Sequence, residues 1–491
     1  MAKSPKTAKK NLIVEKKFRR NLLAISAVAL FAKILIILNI QGFDWYEAGD
    51  GNLGKGLGEL LDNNYAPPNA WYLADGDNYI RALQGLVTDG LFSKEGKLSY
   101  WPAGYPLLMW PIIQVFQGYF FLALSIIQSF LYAAASIWFV EEIRKTRIRR
   151  GSYGLALLLA FNPTLSLNTI SVGYELPVVS MSLISVAALL HYFLNDRNGL
   201  LNREILISAV AFAIAVFMQP RLLIIAFVFF VLWALAKFKT KLIPAFLLLT
   251  VGLVSIAPTI LTFRNYEAHG YAAISTNLGN TMRLGAGPDT SGGYSPQPVG
   301  IVECPDSKAD VVEADRELVK CVIDWYLANP AKALVLFWNK ARFFWSPWFG
   351  PEYNGTMARN PWLQNHPLKS TAQTADGFNF IFGGIGKFIS WLWMLGGICL
   401  LLYGFIHLWR LGDLERLLAL IAGLSFLLNL ASAMLTVGDN RFRIPTMAMS
   451  LFLQSVGGLR IFSRGEVESH NYKTYISWPT LSRLMAKGLK P

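Results

Sequence analysis

Runs of about 20 apolar residues, nearly free of charge and recurring along the chain, constrain this sequence more than any other feature. In a bilayer a run of that length crosses as a helix, because the backbone must satisfy its own hydrogen bonds there. Composition agrees. Of 491 residues, 54% are hydrophobic and 15% charged, against about a quarter charged in soluble domains. The net charge of +14 gathers at the ends of apolar runs rather than in one patch. That is the positive-inside pattern, and it argues against nucleic acid as a partner.

The expected fold is therefore an all-α polytopic membrane protein. Residues 1–20 carry eight Lys or Arg against the single Glu15, so the N-terminus is expected in the cytoplasm and residue 41 outside. The run Asn21–Ile40 reads as a retained anchor rather than a cleaved signal, since no small-x-small site follows it. Further spans are expected at about 118–141, 152–171, 174–193, 204–218, 220–237 and 242–262, then at 386–409, 415–434 and 444–463. Basic turns such as Arg144–Arg150 agree with one another only if residues 103–117 do not cross. That stretch is short and broken by Pro106 and Pro111, so it reads as re-entrant or interfacial. About ten spans result, seven in the 21–262 module and three over 386–463. Two large external segments join them, 41–117 and 263–385, the second long enough for a small folded cap. The tail 464–491 is basic and expected in the cytoplasm.

In the first external segment, Asp75 and Asp77 sit in Ala74-Asp75-Gly76-Asp77-Asn78-Tyr79. Acids at a membrane edge keep a loop wet, cap a helix starting near Asn78, hold Mg²⁺ or Mn²⁺ as an oxygen pair, or act as a base. Arg264, Arg441 and Arg443 fall at the outer ends of expected spans, where guanidinium groups bind phosphate oxygens or simply snorkel. Arg221 follows Gln219-Pro220 on the same side, and either faces a lipid-phosphate cavity or caps a Pro-broken helix. Glu175 opens a span there, as a sugar or arginine partner or as a solvated helix start. Cys304 and Cys321 share the second external segment, and a disulfide and two free thiols both remain open. The stretch from Asp315 through Lys340 to Trp345 reads as an amphipathic helix on the membrane surface. No Cys/His spacing suggests zinc.

Four blocks together resemble the GT-C superfamily of polytopic glycosyltransferases, specifically its prokaryotic protein-mannosyltransferase and aminoarabinose-transferase-like branch. They are Asp75–Leu83, Tyr100–Leu108, Arg264–Tyr266 with Ile274–Asn277 and Gly285–Tyr294, and Gly438–Pro445. The resemblance implies an inverting enzyme at the outer face of the cell membrane. It would move one hexose or pentose from a polyprenyl-phosphate carrier to a hydroxyl of a cell-envelope glycan, lipid or protein. It implies Asp75 as the catalytic base with Asp77 second, and Arg264, Arg441, Arg443 and Arg221 on the lipid phosphate. Glu175, Tyr79 and Tyr105 would contact substrate. No cofactor is expected, although Mg or Mn at Asp75 and Asp77 is the metal alternative. A transporter or flippase of lipid-linked glycans is the competing class. It would place ionisable groups near the midplane, whereas here they gather at one edge.

Overall fold

The computed structural model describes residues 5–37, 76–94, 98–116, 119–195, 199–238, 240–295, 298–305, 310–347, 374–377 and 383–462. The part of the expected 41–117 loop up to and including Asp75, and the tail 464–491, lie outside them. The described residues form helices joined by turns and loops: α1 (Pro5–Ile37), α2 (Gly76–Thr88), α3 (Gly104–Phe116), α4 (Phe120–Arg144), α5 (Ser152–Phe161), α6 (Pro163–Leu167), α7 (Glu175–Leu194) and α8 (Arg203–Met218). There follow α9 (Leu222–Lys237), α10 (Ile243–His269), α11 (Leu278–Leu284), α12 (Val311–Ala328), α13 (Pro330–Phe344), α14 (Gly384–Leu411), α15 (Asp413–Leu435) and α16 (Ile444–Phe462). The chain is an all-α polytopic membrane protein.

Among the described residues, six helical segments are long and apolar enough to cross a membrane: Ile13–Ile37, Phe120–Arg144, Glu175–Leu194, Ile243–His269, Gly384–Leu411 and Asp413–Leu435. The span expected over 152–171 is instead broken. Pro163 has no N–H to continue α5, and Asn162 restarts the chain by accepting the Leu165 N–H on its side chain at 2.9 Å. The backbone freed there is taken up by α4, whose Ser125 and Gln128 side chains donate to the Ile170, Thr169 and Ser171 carbonyls. α8 and α9 hold 16 residues each and meet at Gln219-Pro220-Arg221. α3 has 13 residues, about 20 Å at 1.5 Å per residue, against a hydrocarbon core of about 30 Å.

Charged side chains tie several helices together at their ends. At one end Glu15 pairs with Arg144 and Arg149 at 3.0 and 2.8 Å, and Glu142 with His191 at 2.9 Å. There too the Arg147 N–H donates to Glu415 at 3.2 Å, tying α15 to the α4–α5 turn. α14 and α16 approach backbone to backbone: a Cβ on Gly404 would lie 1.9 Å from the Leu453 carbonyl oxygen.

Beyond α10, the single amphipathic helix expected from Asp315 to Trp345 is two helices. Pro330 cannot continue α12 but is favourable in the first turn of α13. Asp310 caps α12, accepting the Val312 N–H at 3.0 Å. A small apolar cluster of Met282, Ala286, Val302 and Val322 holds α11 against α12, and a disulfide joins Cys304 to Cys321 beside it. Cys399, on α14, is a free thiol.

Candidate functional site

At the end of the bundle opposite the Glu15 cluster, α2 sets up the site. Its Tyr79, Ala82, Leu83 and Leu86 form one buried stripe at helical spacing. Asn78, on another face, lines a cavity of about 660 Å³. Arg81, Gln84 and Thr88 line a second cleft of about 880 Å³, and the two share Tyr100, Asn280 and Asp315 as a common wall. Asp77 lies in the first turn of α2. Its side chain, like all of Asp75, is outside the described residues.

The first cavity collects residues far apart in sequence: Tyr100-Trp101-Pro102, Tyr174, Gln219 to Arg221, Asn277, Asn280, Tyr294, and Thr436 to Phe442 in part. Arg441 is its most elaborately held cation. The Asp439 carboxylate accepts the Arg441 backbone N–H at 2.8 Å and starts a 3₁₀ turn. The guanidinium Nε donates to Glu175 Oε1, and Nη2 donates to the Tyr79 hydroxyl at 3.1 Å. The same group lies 5.4 Å from the Tyr174 ring centroid. Glu175, 1% exposed, is thus a buried arginine partner and not a solvated helix start.

Arg221 stacks over the Phe442 ring at 4.3 Å. It makes no cap hydrogen bond to α9, and its Nε and Nη2 have no protein hydrogen-bond partner. A cation so placed, with donors to spare, has the chemistry to bind an anion.

The two other arginines expected around the phosphate are not lining residues of this cavity. Arg264 is buried and spends its guanidinium on the protein. Nε donates to the Leu91 carbonyl at 2.7 Å and Nη2 to the Ser93 carbonyl at 2.6 Å. Nη1 reaches Asn265 Oδ1 at 2.8 Å and the Ser99 hydroxyl. It ties Leu91, Ser93 and Ser99 to α10. Arg443 is buried against Trp345, its guanidinium 4.8 Å from the ring centroid, with Nη1 donating to the Trp345 carbonyl at 3.4 Å.

Tyr79 and Tyr105 stand in an aromatic cluster with Trp101 and Tyr174, the Tyr79 and Tyr105 centroids 5.2 Å apart. The Tyr105 hydroxyl donates to Gln128 Oε1 at 3.2 Å and accepts the Gly173 N–H at 3.0 Å, so it orders the α6–α7 turn. The Tyr100 hydroxyl accepts from Asn280 Nδ2 at 2.6 Å in the shared wall. Asp315 in the same wall accepts the Gly279 N–H at 2.7 Å. Burial pushes its carboxyl up, and the Gly279 and Asn280 N–H groups pull it back. In the second cleft His269 bridges Ser99 and Asp310, at 2.7 and 3.3 Å.

Among the described residues no three His, Cys, Asp or Glu side chains gather as a metal site. The Asp75/Asp77 pair, the metal alternative read from the sequence, falls outside that set.

No protein-family model matches the sequence, and no curated protein matches it. Two solved chains are similar to it. One is the apo oligosaccharyltransferase of Archaeoglobus fulgidus, 13% identical, with a TM-score of 0.42 over 95% of this chain and 54% of that one. The other is the archaeal oligosaccharyltransferase AglB from Archaeoglobus fulgidus in complex with an inhibitory peptide and a dolichol-phosphate, 12% identical, with the same coverage and TM-score. The chain spans about half the length of each.

Proposed function

We propose that this protein is an inverting membrane glycosyltransferase of GT-C type, moving one sugar from a polyprenyl-phosphate carrier to a hydroxyl acceptor at the outer face of the cell membrane. The observation that carries the reading is the pair of arginines in one cavity at the bundle end. Arg441 is oriented by Glu175 and Tyr79, and Arg221 keeps two guanidinium nitrogens without a protein acceptor.

The reaction needs what such a cavity supplies. The acceptor oxygen attacks the anomeric carbon from the face opposite the phosphate, the carbon–oxygen bond to phosphate breaks, and the electron pair leaves on the phosphate. Arg221 and Arg441 stabilise that growing charge. The acceptor proton passes to a carboxylate, which the family resemblance puts at Asp75, with Asp77 the second candidate. Asp77 lies in the first turn of the helix that also supplies Asn78 to the cavity. Inversion follows from the single displacement. Arg264 and Arg443, committed to Ser99 and Trp345, support the scaffold in this reading.

The test is transfer by purified protein from a panel of polyprenyl-phosphate monosaccharides, comparing wild type with Asp75→Asn and Asp77→Asn, each with and without EDTA. Loss in Asp75→Asn alone, with EDTA harmless, is the expected result. Loss in both variants together with EDTA sensitivity assigns the pair to a metal. No transfer from any donor, with movement of the lipid-linked sugar across reconstituted vesicles, replaces the enzyme with a transporter.

A further inference from the structure

Lys340 of α13 is completely buried, yet it forms no ion pair among the described residues. Its ammonium donates to the Tyr326 hydroxyl at 2.7 Å and lies 5.2 and 5.8 Å from the Tyr326 and Phe337 ring centroids. Three glycines from two separate segments close around its stem. A Cβ at Gly438 would fall 2.7 Å from the Lys340 Cα, at Gly285 2.9 Å from Cε, and at Gly292 3.2 Å from Cγ. Those segments are tied to each other. The Gly438 N–H donates to the Gly292 carbonyl at 2.8 Å, and the Tyr294 N–H to the Gly438 carbonyl at 3.0 Å. Both then run into the arginine-bearing cavity, through Leu284 and Tyr294 on one side and Val437, Asp439 and Arg441 on the other.

We propose that Lys340 is a positioning residue: its charged side chain is the post on which the 436–441 segment rests, and it sets Arg441 and adds positive field for the lipid phosphate. The phosphate part rests on the function proposed above; the positioning part does not. The titratable and charged groups on the surrounding segments are Tyr326 on α12, Arg283 and Asp289 on the 278–294 segment, and Asp439 and Arg441 beyond Gly438. Burial pushes the Lys340 amine down to about 7, so its charge is lost as pH rises past neutrality. By linkage, a bound phosphate that raises this value by one unit binds about tenfold more weakly once the proton has gone.

The experiment compares wild type, Lys340→Met and Tyr326→Phe in two readouts. The first is amide exchange over residues 436–443, the second the affinity for polyprenyl phosphate between pH 6.5 and 8.5. The probe's own second ionisation lies near 6 and strengthens binding as pH rises, opposite in sign to the effect sought. The expected result is faster exchange confined to 285–294 and 436–443 in Lys340→Met, and a smaller effect in Tyr326→Phe. Wild-type affinity should fall about tenfold toward pH 8.5, and the methionine variant should lose that limb. Unchanged exchange in Lys340→Met overturns the positioning role. An alkaline limb that survives in the methionine variant overturns the electrostatic one. If wild type binds no polyprenyl phosphate at any pH while exchange responds as expected, the proposed function fails and the positioning role stands.

Discussion

Replacing Glu175 by Gln keeps its volume and removes one charge from a pair in which both partners are almost wholly buried. Arg441 then keeps its other contacts, among them the Tyr79 hydroxyl and the Tyr174 ring, but loses the carboxylate bonded to its Nε. Two unit charges about 4 Å apart attract by about 4 kcal/mol at an effective dielectric of 20. Removing one partner of a buried pair costs about 3–5 kcal/mol, because the other is left buried and alone. Glu175→Gln should therefore destabilise the protein by about 3 kcal/mol. Arg441→Met should do the same, and the double variant should lose far less than the sum. Reversible unfolding in detergent micelles, followed by tryptophan fluorescence, gives the three values for a double-mutant cycle. A coupling below about 0.5 kcal/mol is what independent sites show. That result would mean the pair does not hold this end of the bundle together, and the argument from Arg441 orientation would fall with it.

Arg264→Met should cost about 3 kcal/mol by leaving the Leu91 and Ser93 carbonyls without their donor. Arg221→Gln should leave stability nearly unchanged and weaken polyprenyl-phosphate binding, so thermal melts and titrations of the two variants should separate the roles. Gly404→Val drives a side chain into the Leu453 carbonyl and should cost about 1–3 kcal/mol in the same unfolding assay. Replacing Cys304 and Cys321 together by Ser opens a crosslink spanning 17 positions. This should cost about 3 kcal/mol on the chain-entropy account, seen as faster proteolysis within 298–328.

Much of the fold was legible because apolar periodicity and basic turns are local properties. The helix starts near 120, 175, 243 and 413 fall close to where the hydropathy runs begin. Pro163 marks a helix break in the sequence, but not whether the span kinks or divides into two short helices. What decides between a kinked span and two short helices is whether neighbours satisfy the freed carbonyls, and Ser125 and Gln128 lie on another helix. The arginines show the same boundary. All four were assigned one side of the bilayer from sequence, but depth does not give direction. Arg264 turns to carbonyls more than 160 positions earlier in the chain, and no local pattern encodes that. Lys340 carried even less signal. In a surface-amphipathic reading it belongs on the wet face, and only the glycines at 285, 292 and 438, brought together by tertiary contact, bury it. Glu175 was the more tractable residue, since an acid opening an apolar helix needs either water or a cation.

The Glu175–Arg441 pair also has a consequence for biosynthesis. The two residues are 266 positions apart, and at a synthesis rate of about 5–20 residues per second the acid emerges some tens of seconds before its cation. Until the last hairpin is inserted, α7 presents that carboxylate without the arginine that bonds to it in the finished fold. A chain truncated before residue 441 keeps that defect permanently. Completion of the C-terminal hairpin is thus the step at which this end of the bundle acquires its buried charge pair.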